Sequence, residues 1–331
     1  MRLMALAKHL SATKSAVKEM AVRLPAPILS GMRYASIRPL RTYIRYAPWS
    51  FGKKFLWNQL ISHFRWLEST FEPTAEVRTF FDSTILVDPQ DMCGRFIYYF
   101  GIWEPNLTHW ISERLSDGDV FVDVGANVGY FSLLASTLVG KGHVVAVEPT
   151  PRAFAMLQES LRRSRTTNIR VVNAAAWHEP SILKMFSGPN LTMSSLMSDW
   201  AAQWNDHECC DVPAARLSDI LTPEEIRTAR IVKIDVEGAE WHVIEGMAEL
   251  LENCRDDLEI MVEITPRLLA TEQHTDGELM ALFARHGYRP YILENDYSPL
   301  AYCAPSIPRS PRRITTMPAG YEQADIIFSR K

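Results

Sequence analysis

Three carboxylates and a lysine fall within the eight residues "KIDVEGAE": Lys233, Asp235, Glu237 and Glu240. Side chains alternate along an extended strand, so Lys233, Asp235 and Glu237 are expected to share one face. Carboxylates set in a crevice can remove the proton of a hydroxyl or grip a polar substrate. A pair of them can also hold a divalent cation that acidifies the hydroxyl. Glu263, in "VEIT", is the candidate third member of such a set. With no further ligand evident, no metal is expected. Asp235 is assigned to the chemistry and to cofactor binding, near the methyl group and the substrate, and Glu237 to binding substrate or acting as base. Glu240 is read as an acid complementing a helix N-terminus, and His242 as a packed histidine on the same helix.

A second chemical stretch is "DVFVDVGANVGYFSLLA", residues 119–135. An apolar run, a glycine turn and a helical pattern make a nucleotide-type cradle. The turn is Gly125, Ala126, Asn127, Val128, Gly129. The middle glycine, through which a backbone approaches a pyrophosphate, is replaced by Asn127. No Lys-Ser/Thr follows, so a triphosphate loop is absent. Asp123 at the strand end would repel a pyrophosphate but suits an ammonium. S-adenosylmethionine carries an amino-acid end and a sulfonium and no phosphate, and its carboxylate can accept backbone N–H bonds at a helix N-terminus. Glu148, nineteen residues after Gly129, can accept two ribose hydroxyls. That spacing also occurs in nicotinamide enzymes, so it marks a ribose and leaves the cofactor open. Asn173, Ala174 and Ala175, ending the next strand, would border an adenine, with Trp177 and His178 beyond them.

These residues need a scaffold. Near-continuous apolar runs at 119–125, 143–149, 168–176, 229–238 and 258–265 alternate with helical patterns at Tyr130–Leu138, Arg152–Ser164 and Ala239–Leu251. A further helix over Asp276–His286, the run "RPYILE" and a last strand "ADIIFSR" follow. The pattern predicts an α/β, doubly wound, mostly parallel sheet covered on both faces, with ligands at the strands' carboxyl ends. Upstream, residues 76–101 read as two β-rich runs around a turn from Asp88-Pro89 to Gly94, and 106–115 as a helix. Residues 55–71 read as an amphipathic helix, and 298–323, rich in Pro, Ser and Arg, as a long surface loop. The division expected is a basic, mostly helical extension over 1–75, a β-hairpin over 76–105 and a cofactor-binding domain over 106–331.

The net charge of −4 conceals an asymmetry: residues 1–60 carry +10 and the rest −14. A basic arm on an acidic body suits peripheral contact with an anionic membrane or a protein. "RSPRR" (309–313) lacks interleaved aromatics, so no nucleic acid is expected. There is no run of about 18 apolar residues for a transmembrane segment. Five cysteines without CxxC spacing argue against disulfide and zinc frameworks and fit a reducing, cytoplasmic setting. Ser194 and Ser195 have no triad pattern around them.

Together, "VDVGANVGYFS", "VVAVEPTPRAFAMLQ", "NAAAW" and "VKIDVEGAEWHVIEGM" resemble the FkbM family of S-adenosylmethionine-dependent methyltransferases, from Val77 through "GIWEP" to about Glu263. The resemblance implies a class I methyltransferase fold whose last strand enters antiparallel between the fifth and sixth. It also implies O-methylation of a hydroxyl on a sugar, glycan or secondary metabolite. Ser218 departs from the second acid that the family tends to carry in "ARLSDIL". Glu104 is expected to close over the cofactor. The competing readings are a degenerate methyltransferase-fold binding or membrane-docked module, and a nicotinamide-dependent oxidoreductase, which the missing glycine and Asp123 disfavour.

Overall fold

The computed structural model describes residues 39–47, 52–57, 74–188, 194–195, 208–303 and 307–331. The chain divides into two compact units, Met1–Glu72 and Pro73–Lys331. In the first, the described residues form a helix over 39–46 and a short one, Lys53–Leu56. Most of the basic arm and most of the helix expected over 55–71 lie outside the described residues.

The second unit is built on an eight-stranded sheet. Its strands are β3 (Val120–Val124), β4 (His143–Val147), β5 (Ile169–Val172), β10 (Ala229–Ile234), β11 (Glu259–Ile264), β12 (Arg289–Leu293), β13 (Arg312–Arg313) and β14 (Ala324–Ser329), in the order β13-β12-β14-β11-β10-β3-β4-β5. β3, β10, β11 and β14 are buried at every position, the burial expected where helices cover both faces. β10 runs parallel to β3 and β11, while β14 lies antiparallel between β11 and β12. This is the expected class I methyltransferase topology. Its order reverses beside β3, so the ends of β3 and β10 flank the crevice in which such sheets bind ligands.

Five expectations are corrected. The hairpin pairs β1 (Ala75–Arg78) with β2 (Thr84–Val87), so its turn lies at 79–83 and not at 88–94. The second β-rich run is instead a helix, Met92–Phe100. Asp91 caps it by accepting from the Gly94 amide at 3.1 Å, and Cys93, Phe96, Ile97 and Phe100 bury one stripe. The run 168–176 is not one strand: β5 ends at Val172 and β6 (Ala175–Trp177) belongs to a second sheet. That sheet, ordered β6-β9-β7-β8, adds β7 (Ser181–Ser187), β8 (Ser194–Ser195) and β9 (Glu208–Arg216). The chain bends at Asn173, whose amide donates to the Glu148 and Pro149 carbonyls at 2.8 and 3.2 Å. Finally, the span 298–323 is not wholly loop. It contains a helical turn, Pro299–Tyr302, and β13, which pairs with β12. The predicted helix 239–251 also breaks in two, Glu240–Glu245 and Ala248–Asn253. Gly246 lies between them, its Cα packed so closely on the Trp177 carbonyl that a Cβ would stand 2.0 Å from it.

Candidate active site

A cleft opens at the carboxyl ends of β3, β4, β10 and β11. Its floor is the glycine turn. Gly125, Asn127 and Gly129 all take left-handed backbone, at φ 80, 51 and 90°. Asparagine tolerates that region better than other side-chain-bearing residues, which explains how Asn127 stands where a glycine is usual. The Gly125 and Ala126 amides both donate to the Val147 carbonyl, at 2.9 and 3.0 Å. Gly129 lets the following helix approach Leu157, where a Cβ would meet Cδ1 at 2.3 Å. Gly125 lies against the backbone of the acidic loop: a Cβ there would stand 1.8 Å from the Asp235 carbonyl oxygen.

Glu148 forms the next wall and is buried. Its Oε2 accepts from the Asn127 amide and its Oε1 from the Thr150 amide, both at 2.8 Å. The carboxylate therefore shapes the turn besides facing the cleft, and each oxygen keeps a second lone pair for a ligand hydroxyl. Burial pushes its pKa up, against the backbone bonds that lower it. Ala175 and Ala176 from β6 and Met185 from β7 supply an apolar flank. Asn173 and Ala174 do not line the cleft; Asn173 instead fastens the bend beneath it.

β10 ends at Ile234, so Asp235 and Glu237 sit on the loop after it and not on the strand itself. The alternation holds for one step: Lys233 Nζ donates to Asp235 Oδ2 at 2.9 Å. It also lies 3.7 Å from Asp123 Oδ1. Burial works against the Lys233 charge, but Asp235 and Asp123 more than offset it and its pKa rises. Asp123 lies beneath the cleft without lining it, accepting from Ser132 Oγ at 2.5 Å. Glu237 is in left-handed backbone at φ 53°. Its pKa is pushed up to about 8 by desolvation, then by Asp235 and Glu240. Glu240, the first residue of its helix, accepts from the Gly238 amide of the preceding loop at 3.0 Å, and burial raises its pKa to about 7.

Glu263, at the end of β11, faces the cleft and is only 6 % exposed. Burial, then Asp235 and Asp325, push its pKa well above the ordinary carboxylate range. One oxygen each from Asp235, Glu237 and Glu263 lies within 4.8 Å of the others. Glu104 closes the opposite side, 3 % exposed and also lifted well above its usual pKa, first by burial and then by Asp325 and Asp235. Tyr297 donates to its Oε1 at 2.9 Å, while Oε2 is buried without a hydrogen-bond partner. Trp103 and Tyr297, with ring centroids 5.7 Å apart, complete this rim. "GIWEP" singled out Glu104; nothing local marked Tyr297, which reaches it across 193 residues of chain.

His242 stays out of the cleft. It stacks on Trp177, its Nδ1 lies 3.0 Å from His178 Nδ1, and its Nε2 lies 2.8 Å from Glu272. Trp177 therefore packs on histidines and does not line the cleft.

A doubly wound sheet of this order, with its glycine turn and the buried acid that follows β4, defines a class I S-adenosylmethionine-dependent methyltransferase. More narrowly, the chain belongs to the FkbM methyltransferase family: residues 123–290 match the methyltransferase FkbM domain. The chain is 28 % identical over 209 residues to 31-O-demethyl-FK506 methyltransferase FkbM of Streptomyces tacrolimicus, covering 55 % of this chain and 76 % of that one. It is 25 % identical over 150 residues to hexuronic acid methyltransferase AglP of Haloferax volcanii, covering 45 % and 59 %. Among solved structures, that of M. jannaschii TYW2 in complex with AdoMet aligns over 79 % of this chain and 88 % of its own, with 11 % identity and a TM-score of 0.41. No helix among the described residues is long and apolar enough to cross a membrane.

Proposed function

We propose that this enzyme methylates a hydroxyl of a sugar, glycan or secondary metabolite, with the cofactor on the Gly125–Gly129 turn and the acceptor beside Asp235, Glu237 and Glu263. The observation that carries the reading is the convergence of those three carboxylates at the ends of adjacent strands, beside the turn. The residues present suit this cofactor. Among the described lining residues Lys233 is the one cation, and it is turned to Asp235 and Asp123. The cleft therefore offers nothing to neutralise a pyrophosphate and much to attract a sulfonium and an ammonium. Asp123 acts through Lys233 and not by direct contact.

The bound cofactor supplies an electrophilic methyl group on sulfur. The protein's work is placement: Glu148 and the glycine turn fix one partner, and the acidic loop fixes the other behind the methyl carbon. The hydroxyl oxygen attacks, the carbon–sulfur bond breaks with its electron pair going to sulfur, and the hydroxyl proton passes to a carboxylate of the cluster. Lys233 holds Asp235 in place from below. The catalytic domain spans 106–331 in this reading, with the hairpin region 76–105 contributing Trp103 and Glu104 to the rim. The basic residues 1–60 provide peripheral contact with an anionic membrane or protein partner.

Calorimetric titration with S-adenosylhomocysteine, with NAD as control, tests the cofactor assignment. Micromolar binding of the first alone is expected; binding of NAD alone would overturn it. Asp235→Asn should retain S-adenosylhomocysteine affinity within a few-fold. It should lose roughly a hundredfold or more of transfer to a hydroxylated acceptor, the range for removing a group engaged in proton transfer. Unchanged turnover would remove Asp235 from the chemistry.

A further inference from the structure

We propose that Asp235, Glu237 and Glu263 form a binding site for a divalent cation of the magnesium or manganese type, which holds the acceptor hydroxyl in the cleft. This departs from the expectation of a metal-free site and rests on the acceptor side described above. The argument starts from ligand chemistry. The donors are carboxylate oxygens alone, the set that hard divalent cations prefer. They come from two adjacent strands' ends and lie within 4.8 Å of one another, so small rotamer changes bring all three onto one ion.

A second observation is independent of that spacing. Glu263 is nine-tenths buried and lines the cleft, and its carboxylate has no hydrogen bond or salt bridge among the described residues. Glu104, which also lines the cleft, has its Oε2 buried without a hydrogen-bond partner. A buried carboxylate is normally paired, hydrogen-bonded or bound to a metal. Lys233 does not serve Glu263, because its ammonium is committed to Asp235 and Asp123. The contrast with His178, His242 and Glu245, which also converge, is instructive. There the two Nδ1 atoms already face each other at 3.0 Å and Glu272 lies 2.8 Å from the far nitrogen of His242, so the histidine nitrogens are turned to protein groups.

A cation here would bind the acceptor oxygen and lower its pKa. On attack, oxygen bonds to the methyl carbon, the carbon–sulfur pair returns to sulfur, and the proton leaves to a carboxylate oxygen not engaged by the ion. The cation is neither oxidised nor consumed.

The test is Mn²⁺ titration of the full chain, followed by electron paramagnetic resonance of free Mn²⁺, with and without saturating S-adenosylhomocysteine. One site of submillimolar affinity is expected. Glu263→Gln should weaken it at least tenfold while leaving S-adenosylhomocysteine affinity within twofold. Glu237→Gln, on a partly exposed turn, gives the same readout should Glu263→Gln not fold. Glu224→Gln, at a remote exposed position, should change nothing. Absence of a site, or Mn²⁺ affinity unchanged in both cleft variants, overturns the proposal. Failure of the methyltransfer reading is separately visible as loss of S-adenosylhomocysteine binding in the wild type, in which case the Mn²⁺ titration without it still decides the cation site.

Discussion

Replacing Glu148 by alanine removes one group that does two jobs. In the folded protein its two oxygens each accept a backbone amide, from Asn127 and Thr150, at 2.8 Å. Alanine leaves both amides without that partner in a region where Glu148 is 5 % exposed. Each unsatisfied buried group costs about 1–3 kcal/mol, giving roughly 2–6 kcal/mol for the pair. Removing a carboxylate whose pKa is raised by burial returns part of that, so a net loss of about 2–4 kcal/mol is expected. For a domain of this size about 1 kcal/mol lowers Tm by ~2–4 °C. The ligand-free variant should therefore melt roughly 5–15 °C below wild type. S-adenosylhomocysteine affinity should fall as well, by roughly tenfold for each charge-assisted ribose bond lost, since about 1.4 kcal/mol is a decade. The assay is a thermal melt of the apo protein followed by calorimetric titration. Glu148→Gln separates the two jobs: it keeps one acceptor oxygen for the loop and sets an amide donor against the other N–H, so it should fall between wild type and alanine in both readouts. A Tm unchanged in the alanine variant would refute the loop-shaping role, and an unchanged affinity would refute the ribose assignment.

Gly125→Ala should depress both S-adenosylhomocysteine binding and turnover, because its Cβ would stand 1.8 Å from the Asp235 carbonyl oxygen at a φ of 80°; binding and initial-rate measurements with one variant check both. The left-handed backbone alone costs an alanine about 1–2 kcal/mol, so a clear fall in Tm accompanies them. Glu225 accepts from Arg170 and lies 3.0 Å from His143, and these partners hold its pKa below the usual carboxylate range despite the opposing effect of burial. A depressed folded pKa adds stability above the unfolded pKa and loses it as pH falls through the folded value. Glu225→Gln should therefore destabilise the protein at pH 7 and progressively less below about pH 4, measured by urea unfolding at each pH.

The sheet was legible because fully buried strands write themselves as apolar runs, and β3, β4, β10 and β11 were readable within a few residues. The antiparallel place of β14 came from family resemblance, since "ADIIFSR" alone has no direction in a sheet. Residues 92–100 misled because Phe96, Ile97, Tyr98, Tyr99 and Phe100 favour strands. The deciding facts are the Asp91 cap and the tight seat of Gly94, where a Cβ would meet the Asp88 carbonyl at 2.0 Å. The second sheet was hidden because β6 pairs with β9, some forty residues downstream. In the site, Lys233, Asp235, Glu237 and Glu263 were legible from spacing. The Tyr297–Glu104 pairing was not, since it depends on chain ends brought together only by the fold.

Gly125 has so little room against Asp235 that the glycine turn and the acidic loop pack backbone to backbone. Coupling between two ligand-binding elements has a thermodynamic corollary: whatever one ligand does to the affinity of the other, the second must return in equal measure. If seating the cofactor draws Asp235 into register for the acceptor, then the acceptor must in turn tighten the enzyme's hold on the cofactor. The wasteful half-loaded complexes would then be scarce at equilibrium, and the glycine, usually valued for what it lets in, would join the sites of two substrates.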